Sequence, residues 1–363
     1  MTSVVMVSGS WPPQACGVGD YTEMLCRELE RQAISVVRFV SSKLTQLWSF
    51  ETIDRINRLE CDLVHIQYPT AGYGRSITPS ALARRVHNKP VLVTLHEYSV
   101  FRWYRRAWFS PFAQHCAARV FTTDPERELF QRRFPARKGF DLTIEIGSNI
   151  PASTDDARQP GKVCYFGLIA PNKGIEEFLD LCAIAGSSAS GLTFELIGAV
   201  PERHGRYADE IAKRALAYGV HMSFGLPDDA VAGRLARSTF AYLPFPDGAS
   251  AKRGTLAAAI VNGAIVVTRH SDITPEWVRS TTLDAKTPLD ALGIIARLQN
   301  DGGRRSAMAE RNASAAKRFR WDAIARRHAD LYRQLLHPSV RRGSAAGTEY
   351  VVPNERGESR LAS

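Results

Sequence analysis

The chain has 363 residues, 44% of them hydrophobic and 23% charged, with a formal net charge of +10 at pH 7. This is ordinary globular composition at a length that suits two domains, and it excludes a small disulfide-stapled scaffold. The positive balance favours acidic partners: nucleotides, phosphosugars, anionic membrane or nucleic acid.

The six cysteines are scattered with no CxxC pair, which suits reduced thiols in a cytosolic protein. Met1–Ser10 lacks the basic start of a secretory signal, and no apolar run reaches membrane-spanning length. The expectation is a cytoplasmic protein, soluble or held peripherally at the inner face of the plasma membrane.

In chain order, Val4–Ser8 reads as a strand, followed by a Gly-containing loop, a helix over Tyr21–Gln32 and a strand over Ile34–Val40. Ser49–Leu59 reads as helix, Asp62–Gln67 as strand, Ser80–His87 as helix and Pro90–Leu95 as strand. Val100–Ala118 is predicted as one long helix, Val120–Thr123 as strand, Glu126–Arg133 as helix and Leu142–Ile146 as strand. Alternating strands and helices make a doubly wound parallel sheet.

Ala152–Pro160 is polar and turn-rich, and marks a linker. The alternation then restarts: strands at Val163–Phe166, Thr193–Ile197 and Val220–Phe224, helices at Ile175–Ala185, Tyr207–Tyr218 and Asp228–Arg237. Ala241–Phe245 reads as strand, Pro246–Arg253 as a loop, Gly254–Val261 as helix with Gly263 as its C-cap, and Ala264–Thr268 as strand. That loop brings Lys252, Arg253 and Thr255 to a helix N-terminus, a place suited to phosphate. The competing reading is an ordinary connection with both cations solvated. Helices over Pro288–Asn300, Gly303–Phe319 and Trp321–Leu336 follow, and Val340–Ser363 reads as disordered. The division expected is 1–155, 156–318, a crossover helix 319–338 returning to the first domain, and a tail 339–363.

The motifs PPQACGVGDYTEMLCREL, DLVHIQYP, VLVTLHEYS, VCYFGLIAPNKGIEEFL, LTFELIGAV and VHMSFGLPDDAVAGRLARS precede the loop LPFPDGASAKRGTLAAAIVNGAIVVT. In this order they resemble GT-B fold glycosyltransferases, nearest to the retaining nucleotide-sugar family 4. The resemblance runs from about Val4 to Leu336. It implies two Rossmann-like domains facing a cleft, an acceptor side in the first and a donor side in the second. Three family residues are absent: Leu168 stands where an Arg is usual, and Ser250 and Ala258 where two Glu are usual. Gly248–Thr255 is similar to a subgroup loop, Gly-x-Ser-x-basic-Arg-Gly-Ser/Thr.

Site expectations follow from the resemblance. His96, Lys173, Lys252 and Arg253 are the catalytic candidates. Gly17, Gly19, Gly167, Gly198, Gly225, Leu226, Gly248, Ser250, Gly254 and Thr255 join the three cations in donor binding. Asp20, Tyr21, Gln67, Tyr68 and Glu97 are the acceptor-side candidates, and His65 is read as structural. Bland readings stand beside these: Gly17–Gly19 is a tight turn, and a lone His is a satisfied core residue. No metal spacing such as HExxH is present, so neither metal nor cofactor is expected. The implied partners are a nucleoside-diphosphate sugar and a hydroxyl acceptor. Phe101–Arg119 mixes Arg102, Arg105, Arg106 and Arg119 with Trp103, Tyr104, Trp108 and Phe109. The favoured reading is a sheet-covering helix with a solvated basic face, and the competing one is contact with anionic membrane or a lipid-linked acceptor. Two rivals remain. One is a basic nucleic-acid-binding protein, although no recognised binding motif is present. The other is a non-catalytic paralogue acting as a partner subunit.

Overall fold

A computed structural model describes residues 1–337 apart from residue 15, Tyr104, Asp156 and residues 188–190. The tail reading of 339–363 lies outside the described residues. The first sheet contains β1 (Ser3–Val7), β2 (Ser35–Phe39), β3 (Leu63–Tyr68), β4 (Val91–Leu95), β5 (Ala118–Phe121) and β6 (Phe140–Thr143). The second contains β7 (Gln159–Leu168), β8 (Thr193–Ala199), β9 (His221–Phe224), β10 (Ser238–Leu243), β11 (Ile265–Thr268) and β12 (Leu283–Asp284). The strand orders are β2-β1-β3-β4-β5-β6 and β12-β11-β10-β7-β8-β9. The neighbours are parallel, as in the pairing of Val64 with Val91 and of Phe240 with Ile265. Strands such as Val91–Leu95 are buried along their whole length, because helices cover both faces of a parallel sheet.

Helices flank the first sheet as α1 (Gly17–Arg31), α2 (Phe50–Arg58), α3 (Thr78–Arg85), α4 (Ser110–His115) and α5 (Asp124–Arg133). Around the second lie α6 (Ile175–Ser187), α7 (Gly205–Ala217), α8 (Asp228–Arg237), α9 (Gly254–Val261), α10 (Glu276–Thr281), α11 (Pro288–Gln299) and α12 (Gly302–Ala316). The last helix, α13 (Trp321–Leu336), buries Ile324, Ala325, Leu331 and Tyr332 with Val4, Met6 and Leu25 of the first sheet and α1. The buried Ile, Leu, Val and Met side chains here each contribute about 1.5–3 kcal/mol. Trp321 Nε1 donates to the Ser148 carbonyl at 2.8 Å, and Arg327 pairs with Glu145 at 2.9 Å.

Several boundaries differ from expectation. Val100–Ala118 is not one helix: a 3-10 turn over Arg105–Phe109 precedes α4, and Ala118 already belongs to β5. Pro111 sits in the first turn of α4, where its missing N–H is harmless. A helix running through it would lose a hydrogen bond and meet a clash. The strand expected at Ala241–Phe245 is Ser238–Leu243, because Pro244 has no N–H for the ladder. Gln159 and Pro160 of the expected linker are the first residues of β7. The short α10 and β12 were not anticipated.

Candidate active site

Both sheets change winding direction internally, at β1/β3 in the first and β7/β10 in the second. Ligands of doubly wound sheets bind beyond the carboxyl ends of strands at such points. A cleft of about 930 Å³ lies there, with walls from both sheets. The first contributes Cys16, Gly17 and Val18 after β1, Thr70 and Ala71 after β3, His96 and Glu97 after β4, and Thr122 after β5. The second contributes Gly167 and Leu168 of β7, Asn172 and Lys173 beyond it, and Lys252–Thr255 beyond β10.

Two helices start at this cleft. Gly17 and Val18 open α1, and Gly254 and Thr255 open α9. First-turn N–H groups lack intrahelical partners, so each start offers donors and a positive dipole end to the same space. Gly174 lets the Lys173 turn approach: its φ is +82°, and a Cβ there would stand 2.1 Å from the Pro244 carbonyl oxygen.

The cations are held in three different ways. Lys252 donates to Glu126 of α5, whose side chain is 4% exposed. Glu126 also accepts from the Ser99 backbone N–H at 2.7 Å and the Ser99 hydroxyl at 2.5 Å. Arg253 pairs with the exposed Asp247, and its guanidinium lies 4.8 Å from the centre of the Phe245 ring. Its Nε is buried without a partner. Lys173 is exposed, and among the described residues its ammonium has no partner.

His96 is 6% exposed at the cleft wall. Its Nε2 lies 2.9 Å from Gln67 Oε1, and its ring meets the edge of Tyr21 at 4.8 Å. Burial, then the charge of Lys252 and the neighbouring His328, hold its pKa down at about 3. The imidazole is therefore neutral at pH 7. Burial raises the Cys16 thiol pKa. Hydrogen bonds from the Ala71 and Gly19 backbone, the Ser10 hydroxyl and the Val18 backbone outweigh that and bring it below its ordinary value.

Of the expected residues, His96, Lys173, Lys252, Arg253, Gly17, Gly167, Gly254, Thr255, Tyr21 and Glu97 come together at the cleft. Gly19, Asp20, Gln67, Tyr68, Gly198, Gly225, Leu226, Gly248 and Ser250 stand outside its lining. Gly198 serves strand packing, since a Cβ would lie 2.0 Å from the Gly167 carbonyl oxygen. Tyr68 is enclosed by Tyr73, Phe109 and Phe112. Gln67 is fully buried and reaches the cleft only through His96. Sequence reasoning missed Cys16, Ser99 and Glu126. The signal for Glu126 was its place in the first turn of a helix after β5, beyond a strand's carboxyl end. His65 is structural as expected, being fully buried and bonded to Thr94 and Tyr332. Among the described residues no three His, Cys, Asp or Glu side chains form a metal-holding group.

No protein-family model matches the chain, and no curated protein matches it. Solved structures do. Anabaena HepE in complex with UDP is similar with a TM-score of 0.66 at 16% identity, over 92% of this chain and 100% of that one. AviGT4, a glycosyltransferase involved in avilamycin A biosynthesis, gives 0.55 at 14% identity, over 93% and 98%. The GtfA/B complex gives 0.58 at 12% identity over 79% of this chain, which spans 60% of the length of that one. These likenesses establish the fold as GT-B, two parallel α/β sheets facing a cleft.

Proposed function

We propose that this chain transfers a glycosyl unit from a nucleoside-diphosphate sugar to an acceptor hydroxyl, with retention of configuration. The acceptor oxygen bonds to the anomeric carbon, the bond to the diphosphate breaks, and the acceptor proton leaves with the departing phosphate. One observation carries the reading. A GT-B cleft at both winding switch points gathers Lys173, Lys252, Arg253 and the starts of α1 and α9. Charge growing on the leaving diphosphate is best met by donors already in place. Protein groups thus take the phosphate charge, and no resident metal is required by this reading. Glycan, polysaccharide or glycoconjugate synthesis in the cytoplasm, with a lipid-linked acceptor, is the setting that the exposed Arg102, Trp103 and Trp108 support, whereas Phe109 and Arg119 of the same span are buried and take no part.

The test is a thermal-shift screen against UDP-, GDP-, ADP-, CMP- and dTDP-sugars, followed by a transfer assay with the donor that stabilises. A true donor raises the melting temperature by mass action. His96→Ala should then lower kcat strongly with donor binding largely kept. The same proposal divides the chain at 1–155, 156–318 and 319–338. Limited proteolysis should cut within residues 152–158 before it cuts either sheet.

A second reading rests on Ser250 and on Ala258, the latter fully buried in α9 where the resembling family carries Glu. It makes the chain a non-catalytic partner subunit. Donor binding without hydrolysis or transfer to any acceptor would favour it.

A further inference from the structure

Behind the cleft wall a buried chain of polar groups runs from α13 to His96. Tyr332 Oη lies 2.8 Å from His65 Nδ1, His65 Nε2 lies 3.1 Å from Gln67 Nε2, and Gln67 Oε1 lies 2.9 Å from His96 Nε2. Tyr332, His65 and Gln67 are all fully enclosed. Groups so buried must find their hydrogen-bond partners in the protein.

Met6 decides which way the Gln67 amide points. Its sulfur lies 3.3 Å from Gln67 Nε2, and a thioether accepts but cannot donate. The amide nitrogen therefore faces Met6 and His65, and the amide oxygen faces His96. An amide oxygen only accepts, so His96 Nε2 must carry the proton. Burial and the Lys252 charge keep this ring neutral, and a neutral imidazole has one N–H. His96 Nδ1 is then a bare acceptor, with no protein partner among the described residues. The same logic passes back along the chain. The Gln67 N–H needs a lone pair on His65 Nε2, to which the Thr94 hydroxyl, 2.7 Å away, also donates. His65 therefore carries its proton on Nδ1 and donates it to Tyr332.

We propose that Gln67 is a positioning residue that locks His96 as its Nε2–H tautomer, leaving Nδ1 to accept a hydrogen bond from a hydroxyl of the ligand in the cleft. His65 and Tyr332 close the far end of this chain, the Tyr332 hydroxyl accepting from His65 Nδ1. The identity of the ligand as a sugar rests on the function proposed above, but the lock does not. Without Gln67 the ring is free to change tautomer or rotate, and Nδ1 is no longer presented. Orientation of a single contact in this way governs turnover more than donor affinity.

Nitrogen NMR of the histidine rings in the full chain, without ligand, tests the lock directly. The expected wild-type result is a proton on Nε2 of His96 and on Nδ1 of His65. Gln67→Glu presents an acceptor to both rings, so His96 should keep its tautomer while His65 moves its proton to Nε2. Gln67→Leu should release His96 into a tautomer mixture. With a working donor and acceptor, Gln67→Leu should lower kcat by about tenfold while donor KM stays within about twofold, and Gln67→Glu should recover most of the rate. A proton on His96 Nδ1 in the wild type overturns the proposal, as does a His96 tautomer unmoved by Gln67→Leu. The wild-type spectrum needs no variant to fold. If the spectra hold but no nucleotide sugar is bound or turned over, the functional reading fails and the lock stands.

Discussion

Lys252 and Glu126 form an ion pair that joins the second sheet's loop to the first sheet's α5. The carboxylate is almost enclosed and is also held by both donors of Ser99, while the Ser99 carbonyl accepts from Arg106 at 2.7 Å. One of the cations suited to grip a diphosphate is thus already neutralised by a protein anion. An incoming phosphate must share Lys252 with Glu126 or displace it.

The first prediction follows from that competition. Glu126→Gln removes the competing charge and keeps the shape, so nucleoside-diphosphate affinity should rise by about tenfold, or about 1.4 kcal/mol. Lys252→Ala and Arg253→Ala should each lower it by roughly 10- to 150-fold, the about 1.5–3 kcal/mol of a charged hydrogen bond. Isothermal titration with the diphosphate measures all three. Weaker binding by Glu126→Gln would mean that Glu126 aims Lys252 rather than competing for it. An unchanged affinity in the Lys252→Ala, Arg253→Ala double variant would place the diphosphate elsewhere.

A second prediction concerns acid stability. His65, His96 and His328 are buried, and burial is the first cause of each lowered pKa: well below 6.5 for His65, about 3 for His96 and about 4 for His328. The unfolded chain binds protons on these groups below about pH 6.5, and the folded chain does so only near those lower values. Stability should therefore rise with pH from about 4 to 6.5, and fall as pH drops through that window. Each histidine contributes up to about 1.4 kcal/mol per pH unit there. Urea melts at pH 5 and pH 7 measure the slope, and replacing His328 by Gln should make it shallower. A pH-independent midpoint across the window would contradict this account.

The fold was legible because each strand is a short apolar run and each helix keeps its period, so a doubly wound pattern could be read twice. The failures are local. Pro111 and Pro244 moved element ends by removing an N–H, while Glu276–Thr281 and Leu283–Asp284 are too short to show a period. The cleft's cations were legible from one loop and one Lys-Gly turn. Glu126 was not, because pairing it with Lys252 requires two residues 126 positions apart to meet. Gln67 was read as an acceptor contact. In a strand buried on both faces, alternation could not tell that its side chain ends at His96 and not in the cleft.

Arg119 carries a stability prediction. It is fully buried on β5, pairs with Asp141 of β6 at 2.5 Å, and donates to the Phe112 and Lys138 carbonyls at 3.1 and 2.7 Å. Removing one partner of a buried pair leaves the other charge uncompensated. Arg119→Ala should cost about 3–5 kcal/mol, softened where Arg137 still pairs with Asp141. Denaturant unfolding tests it, and a loss under about 1 kcal/mol would show that Arg137 alone satisfies Asp141.

The last prediction concerns the surface beside the cleft. Val100, Trp103 and Trp108 are 67%, 80% and 49% exposed, and the Arg105 guanidinium lies 5.4 Å from the Trp108 ring. Arg84, Arg85 and Arg102 are exposed nearby in sequence and fold, since Ser80 of α3 donates to the Trp108 carbonyl at 3.3 Å. Aromatic rings suit the headgroup layer, and each basic residue near an anionic surface adds about 1 kcal/mol. Among the described residues no helix is long and apolar enough to cross a membrane, so any contact through this surface is peripheral. The surface also reaches the cleft: Arg106 holds the Ser99 carbonyl, Ser99 holds Glu126, and Glu126 holds Lys252. Flotation with vesicles containing anionic lipid should recover more protein than flotation with neutral vesicles. Replacing Trp103 by Ser and Arg105 by Ala should together remove most of the difference, and added salt should weaken it. Equal recovery from both vesicle types would remove the membrane from the reading and leave a soluble acceptor.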